Sequence, residues 1–290
     1  MLDKHPPIAI ETAEPVSPFD DPEFLYVALP EAMRTYAPPL VGDWRHNLEG
    51  KAVLSQLATG LDASKGTEPT VIDLSGYALD TRQFIEQILG EGEISILADK
   101  PGERLNISEA VFAGVWRVKH YADGRLAHDY IETGAFPQIL AEWSAGQDVP
   151  LSLPDTFPDN LMNAPALAYE IFSKSKAFVP GSEGVINLTL LPLTPEDMAF
   201  LIACLGLAGI SILSKGYGDC RIRRTSLPNV WWVQYFNSPG QLILNTLEIT
   251  SLPKVVMAAP EDLEDSASRL GEVLAQFTKW ELTEGCVIGI

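Results

Sequence analysis

Few residues in this chain are of the kinds that bind metals or cross-link a fold. Among 290 residues there are three cysteines and four histidines. No Cys-x-x-Cys pair is present, so a disulfide framework is excluded, and we expect a protein of the reducing cytoplasm. No histidine pair has zinc-ligand spacing, and the motifs of serine hydrolases, zinc proteases and phosphate-binding loops are absent. The sequence therefore indicates neither an enzyme nor a bound cofactor or metal.

Positive charge is also scarce. Twenty Lys and Arg residues stand against 39 Asp and Glu residues, which gives a formal net charge of −19. A nucleic-acid binder needs a basic surface, and so does a protein that binds anionic lipids, so both classes are excluded. The longest apolar stretch, near 198–213, is interrupted by glycines and is too short to span a bilayer. The first 14 residues lack the apolar region of a signal peptide.

What the chain does contain is an internal repeat. Four blocks recur in the same order and at nearly the same separation. One of them, Ile-Ser-Ile-Leu, recurs letter for letter. The corresponding blocks are 71–74 with 185–188, 94–97 with 210–213, 114–121 with 229–236, and Glu132 and Pro137 with Glu248 and Pro253. We interpret this pattern as a duplication.

Both copies have the same predicted order of elements: a helix, a short strand, a second helix and three strands. Start signals mark the second helix, with Thr194 and Asp197 in copy two and Asp80 and Gln83 in copy one. Asp123-Gly124 predicts a tight turn between the last two strands of copy one. In copy one the first helix is predicted at 46–61 and the strands at 70–74, 93–97, 115–121 and 126–133. In copy two the first helix is predicted at 161–175 and the strands at 184–190, 210–213, 230–236 and 242–249.

These elements predict an α+β fold of two tandem βαβββ-like modules, each with two layers and with helices packed on the sheet, in a pseudo-two-fold arrangement. We expect an acidic, proline-containing arm over 1–45, module 1 over 46–157 and module 2 over 158–290. A final helix near 260–277 is placed in module 2. The arm is interpreted as a docked terminus, and a flexible partner-recognition arm is the alternative.

The copies differ most in the segment after the repeated Ile-Ser-Ile-Leu block. In copy two, 214–224 reads as a loop with four basic residues and one acidic residue, while 98–109 in copy one is slightly acidic. The alternative for part of this segment is a half-buried strand, because Arg221 and Arg223 alternate about Ile222. We expect a partner-binding patch here. Its candidate residues are Gly216, Tyr217, Gly218, Cys220, Arg221, Arg223, Trp231, Trp232 and Tyr235.

Three of these candidates have two interpretations each. Arginines beside Cys220 predict a lowered thiol pKa, whereas a free cysteine is more often a small buried apolar residue. Trp231 and Trp232 point to opposite faces of a strand, so one is expected in the core and the other is a candidate exposed anchor. His120 and His128 are expected to be strand surface residues rather than ligands.

The blocks 214–222, 229–238 and 242–248, together with 161–167 and the helix start at 260–267, resemble the signature of the HupH family of hydrogenase expression/formation proteins. The resemblance covers most of 70–280 and implies an accessory role in the maturation of [NiFe] uptake hydrogenase. It implies a chaperone that binds an immature hydrogenase subunit, with the small subunit favoured, before assembly and export. It carries over no catalytic residues.

Some alternatives remain open at this point. A second function is the handling of an iron–sulfur cluster or a metal through Cys220, although clusters normally need about four thiolates. A second accessory protein is a further candidate partner, and a homodimer is a candidate assembly.

Overall fold

A computed structural model describes Phe19 and residues 47–63, 69–144, 151–215 and 218–284 of the chain. The chain divides into two compact units. The first unit comprises 28–142 with 255–290, and the second comprises 1–27 with 143–254. Within the described ranges, no helix is both long and apolar enough to cross a membrane.

The first unit is built on an antiparallel sheet with strand order β1-β5-β4-β3-β2. Asp123 and Gly124 both have positive φ between β4 and β5, which confirms the predicted turn. The elements are α1 (Leu48–Ala63), β1 (Val71–Asp73), α2 (Leu79–Leu89), β2 (Ile94–Lys100), β3 (Glu103–Glu109), β4 (Val115–Ala122) and β5 (Arg125–Thr133), followed by α3 (Ile139–Ser144).

The second unit has the same arrangement, with antiparallel strand order β6-β10-β9-β8-β7. A 3-10 turn at Leu188–Leu190 follows its first strand. The elements are α4 (Ala164–Lys176), β6 (Gly184–Asn187), α5 (Pro195–Leu205), β7 (Ile210–Lys215), β8 (Asp219–Arg224), β9 (Val230–Phe236) and β10 (Leu242–Ile249).

Each unit contains one more strand than the βαβββ pattern predicts, so the observed pattern is βαββββ. The additional strands are β3 and β8, which fall where we expected loops over 98–109 and 214–224. Four of the six residues of β8 are charged, so the alternation of Arg221 and Arg223 about Ile222 was a weaker signal than the loop interpretation, and the strand alternative is the correct one. Pairing with a strand on each side supplies the stability that the sequence pattern does not suggest.

The last helix, α6 (Pro260–Glu284), packs in the first unit. The sequence placed it in 158–290, but its side chains Leu263, Leu270 and Phe277 are buried with those of α1 and α2. An amphipathic stripe shows only that a helix has a core-facing side, and it does not specify which core that side contacts. The boundary between the units therefore differs from the predicted module boundary.

The core of the second unit lies between its sheet and the helices α4 and α5. It is formed around Trp232, Phe200, Leu201, Ile171 and Leu247. Phe19, the only described residue of the predicted arm, is buried in this cluster, as a docked segment requires.

Helix starts differ between the units. Thr194 and Asp197 form the predicted reciprocal capping box at α5. At α2 the prediction is wrong, because the cap residue is Ala78 and no side chain caps the helix. Asp80 instead lies inside the first turn, where its carboxylate accepts from the Thr81 amide at 2.8 Å.

Candidate functional site

The predicted patch lies on β8 and on β9 beside it. Because β8 pairs with β7 and β9, its side chains alternate between the two faces of the sheet. Cys220 therefore lies on one face of the sheet, and Arg221 and Arg223 both lie on the other face. Gly216 and Tyr217, which belong to the predicted patch, lie outside the described residues.

Cys220 is a buried thiol, with 5% of its surface exposed. It lies directly opposite Tyr235 on β9 and shares a hydrogen bond with that side chain. Burial raises its pKa to about 12; the Tyr235 hydrogen bond lowers that pKa, and Glu248 raises it further. The expected lowering of the pKa is therefore wrong, because burial is the largest influence on this thiol and no arginine is among the causes of the shift. The other interpretation, a small buried residue, is confirmed.

Tyr235 is a half-buried member of the same group. Burial raises the pKa of its phenol above the usual value of 10.0, and proximity to Cys220 and Glu248 adds to the increase. Both groups therefore stay protonated at neutral pH, where they act as hydrogen-bonding side chains. A protonated thiol is neither a good nucleophile nor a good metal ligand.

The two arginines on the other face have different environments. Arg223 is buried, with 9% exposed, and its Nε donates to Ser211 Oγ at 3.1 Å. The side chain of Arg221 is 27% exposed, and its guanidinium carbon lies 4.3 Å from the centre of the Phe236 ring. Stacking on an aromatic ring holds a cation in place while leaving it accessible. Phe236 was not among the predicted site residues.

Both tryptophans are buried, at 4% exposed for Trp231 and 0% for Trp232. Trp232 Nε1 donates to Asn245 Oδ1 at 2.7 Å, and Trp231 Nε1 donates to the Thr250 carbonyl at 3.2 Å. The expectation that one of them is an exposed anchor is therefore wrong. The two tryptophans do lie on opposite faces of β9, as predicted, but both faces of the strand are covered at these positions.

Gly218, with φ +150°, directly precedes β8. A Cβ atom here would lie 2.2 Å from the Phe236 carbonyl oxygen, so only glycine allows the two strands to approach this closely. The glycine thus fixes the position of Phe236 beneath Arg221. Of the predicted patch, the described residues with accessible surface are Gly218, Arg221 and Tyr235.

The described part of the chain holds no group of three or more His, Cys, Asp or Glu residues arranged for a metal ion. Of the arginines in the predicted patch, Arg221 is the one with accessible surface, and it stacks on the Phe236 ring.

The family model for the HupH hydrogenase expression protein, C-terminal conserved region, matches this chain twice, over residues 48–153 and 161–277. The chain belongs to the HupH family. Each matched segment contains one complete βαββββ set. The relatives show that the similarity extends over nearly the whole chain.

The chain is 42% identical to the hydrogenase expression/formation protein HoxQ of Cupriavidus necator, over 94% of this chain and 97% of that protein. It is 41% identical to the hydrogenase expression/formation protein HupH of Rhodobacter capsulatus, over 89% and 92% respectively. A solved structure of the hydrogenase expression protein HupH from Thiobacillus denitrificans shares 29% identity, with a TM-score of 0.38. It covers 39% of this chain and 96% of that chain.

Proposed function

We propose that this HupH family member is an accessory protein in hydrogenase maturation that binds an immature hydrogenase subunit before assembly and export. The small subunit is the favoured partner. The observation that carries the proposal is the 42% identity to a hydrogenase expression/formation protein over 94% of the chain. The names of the relatives describe formation of a hydrogenase and no reaction of their own.

The contact surface is proposed at the β7–β8 hairpin. Arg221 on Phe236 and the half-exposed Lys215 give a basic, aromatic surface in a chain of net charge −19. Arginine and aromatic side chains provide much of the binding energy at protein interfaces. Gly216 and Tyr217, which come between β7 and β8 in the sequence, also belong to this proposal.

The buried candidates are assigned a supporting role. Arg223, Trp231 and Trp232 hold the strands in position and do not touch the partner. Cys220 and Tyr235 support the hairpin from the opposite face through their shared hydrogen bond. The proposal thus separates residues that contact the partner from residues that hold the strands in position.

The test is co-purification with each hydrogenase subunit in turn, with and without that subunit's export signal. We expect the double substitution Tyr217→Ala with Arg221→Ala to reduce recovery of the small subunit about tenfold, which corresponds to about 1.4 kcal/mol of binding free energy for the two contacts together. The matched control is Lys100→Ala with Arg104→Ala, in the β2–β3 hairpin of the first unit.

Equal recovery with the two double variants, both folded, would remove the site assignment. Failure of the parent protein to recover any hydrogenase subunit would remove the function. Recovery of the large subunit alone would correct the partner.

The alternative, cluster or metal handling through Cys220, finds less support. The thiol is buried and its pKa is raised to about 12, so a ligating thiolate is costly to form. Iron and sulfide analysis of protein purified without oxygen tests it, and stoichiometric iron that disappears in Cys220→Ser would favour it.

We further propose that the two units are copies of one ancestral module, supported by two matches to one family model and by the shared strand order. Their pseudo-two-fold relation belongs to this proposal. Cytoplasmic action, a second accessory protein as partner and a homodimer are proposed on the sequence alone. Size measurement of the purified protein tests the last.

A further inference from the structure

Large aliphatic side chains are exposed where three segments of the second unit meet. The Asn163 side-chain amide donates to the Pro192 carbonyl at 2.7 Å, and the Asn245 backbone amide donates to Thr189 Oγ1 at 2.7 Å. These two hydrogen bonds join the start of α4, the turn after β6 and the first half of β10. The exposed aliphatic residues of the three segments, which we call the aliphatic patch, are Met162, Leu190, Leu191, Leu242 and Ile243.

The residues of the aliphatic patch expose most of their side chains although their backbone is held in place. Leu190 is 79% exposed, Met162 is 69% exposed and Ile243 is 56% exposed. A single exposed aliphatic side chain is common on a protein surface, whereas several on neighbouring segments mark a surface that another molecule covers. The aliphatic patch is therefore a candidate interaction surface.

The first unit lacks most of this patch. The repeat matches Leu190 with Gly76 and Ile243 with Ala127, and it keeps a leucine only at Leu126, which matches Leu242. Both units nevertheless form the same pairing between the strands concerned, β1 with β5 and β6 with β10. Strand pairing therefore does not require a large aliphatic residue at the positions of Leu190 and Ile243.

The segments that form the patch carry acidic charge and no basic charge. Residues 157–163, 188–197 and 237–246 contain no Lys or Arg. Exposed Asp159 comes shortly before Met162, and exposed Glu196 is next to Asp197, whose carboxylate accepts from the Met162 amide at 2.9 Å. An apolar surface with an acidic border complements an apolar segment that carries basic residues.

The same charge argument disfavours other occupants. A second copy of this chain carries a net charge of −19, and its residues 1–45 hold three basic residues against eight acidic ones. Like charges facing each other across an interface suppress binding, and an anionic lipid surface is repelled for the same reason. A basic and apolar segment of another protein is the occupant that fits.

We propose that the aliphatic patch binds an apolar segment of the immature hydrogenase subunit, with Lys or Arg residues at one end of that segment placed at Asp159 and Glu196. The inference rests on the proposed function and adds a second contact surface to the one at the β7–β8 hairpin. Permanent subunit interfaces are more apolar than other protein surfaces, so an unassembled subunit exposes segments of this kind. Burial of aliphatic surface supplies affinity, and the carboxylates set the orientation of the segment.

The experiment measures the binding of two synthetic peptides to the full-length protein by calorimetry. The peptides share one leucine-rich core, which carries lysines at one end in the first peptide and glutamates in the second. We expect the lysine peptide to bind at least about tenfold more tightly than the glutamate peptide. Asp159→Asn with Glu196→Gln should reduce this preference about fivefold, because two exposed charge pairs are lost.

The patch variant is Leu190→Ala with Ile243→Ala. The matched control is Leu79→Ala with Leu126→Ala, which truncates two exposed leucines in the first unit. The patch variant should bind the lysine peptide about tenfold more weakly and should recover less hydrogenase subunit, while the control should behave like the parent in both measurements. All four side chains are exposed, so both variants should keep the unfolding midpoint of the parent.

Equal affinity of the parent for the two peptides, or unchanged affinity in the patch variant, would overturn the proposal. A dimeric parent that the patch variant converts to a monomer would assign the patch to a second copy of the chain and would also overturn it. The peptide measurement contains no hydrogenase subunit, so its failure is distinct from a failure of the proposed function, which the co-purification of the parent tests.

Discussion

The two units share a strand order but differ in the chemistry at matching positions. In both, a buried tryptophan lies directly opposite a glutamate on the last strand: Trp116 opposite Glu132 and Trp231 opposite Glu248. Burial is the main cause of the raised pKa of both carboxyls. Residues that are the same in the two units stabilise the sheet. Residues that differ change either the packing of a unit or the chemistry of its surface.

The largest difference lies where two helices begin together. In the second unit the buried Asp197 accepts from the Met162, Asn163 and Ala164 amides at the start of α4, and from Thr194 at the start of α5. In the first unit Thr81 takes its place and donates to Asn47 Oδ1 at 3.3 Å. The ionised Asp197 carboxylate links the starts of two helices in the second unit, and the neutral hydrogen bond between Thr81 and Asn47 does so in the first unit.

We expect Asp197→Ala to cost about 4 kcal/mol of unfolding free energy, because several buried amides lose their acceptor. Thr81→Val should cost about 1 kcal/mol, because only one neutral hydrogen bond is lost. Chemical denaturation of both variants measures the difference. Equal losses of unfolding free energy in the two variants would contradict the larger contribution of Asp197 to stability.

The pH dependence sharpens this prediction. Burial acts to raise the Asp197 pKa, but four backbone hydrogen bonds together lower it below the usual 3.8. A lowered folded-state pKa stabilises the protein above the unfolded value, and this stability is lost as the pH falls through the folded value. The difference in unfolding free energy between the parent and Asp197→Asn should therefore be constant near neutral pH and should disappear in strong acid.

The second difference concerns a residue with positive φ before the central strand. The first unit has Gly114 and the second has Asn229. A Cβ at Gly114 would lie 2.1 Å from Leu263 Cδ2 of α6. The backbone conformation suits asparagine in both units, but a side chain in the first would have to displace the end of the buried Leu263 side chain.

Gly114→Asn should therefore destabilise the protein by about 2–3 kcal/mol through overpacking, although it copies the other unit. Asn229→Gly is the control and should change stability by less than about 1 kcal/mol. Hydrogen exchange in α6 should rise in the first variant alone. Native exchange in α6 of Gly114→Asn would contradict the packing argument.

The third difference lies opposite the matching tryptophans, Trp116 and Trp231, where the first unit has Glu109 and the second has Arg224. Burial raises the pKa of Glu109 from 4.5 to about 7; the Gly114 amide opposes the increase, and Glu93 and Asp262 add to it. The folded state therefore holds a proton that the unfolded state releases, and stability falls as the pH rises from about 4.5 to 7.

Glu109→Gln keeps an acceptor for the Gly114 amide and removes the charge. It should raise stability above pH 7 by about 2 kcal/mol and flatten the fall between pH 4.5 and 7. Unfolding midpoints across this range provide the measurement. A parent and a variant with parallel pH profiles would exclude Glu109 as the titrating group.

Most of the element order could be predicted from the sequence, because apolar spacing and turn residues are local. The capping box at Thr194 and the turn at Asp123 were confirmed for the same reason. Strand β3 was missed, and β8 was recognised only as the alternative to a loop, because polar residues weaken the apolar alternation in both. The candidate site was placed on the right segment, but the exposure of its residues was not predictable, since burial depends on what packs from elsewhere in the chain.

The sequence by itself determined the repeat, the acidic charge and the family, because these depend only on the order of residues. The tertiary structure decided which side chains the repeat leaves at the surface. Strand pairing turned a predicted basic loop into a strand with one accessible arginine, buried the Cys220 thiol and both tryptophans, and stacked His120 on His128. Each of these outcomes depends on contacts between residues distant in sequence, which no local pattern encodes.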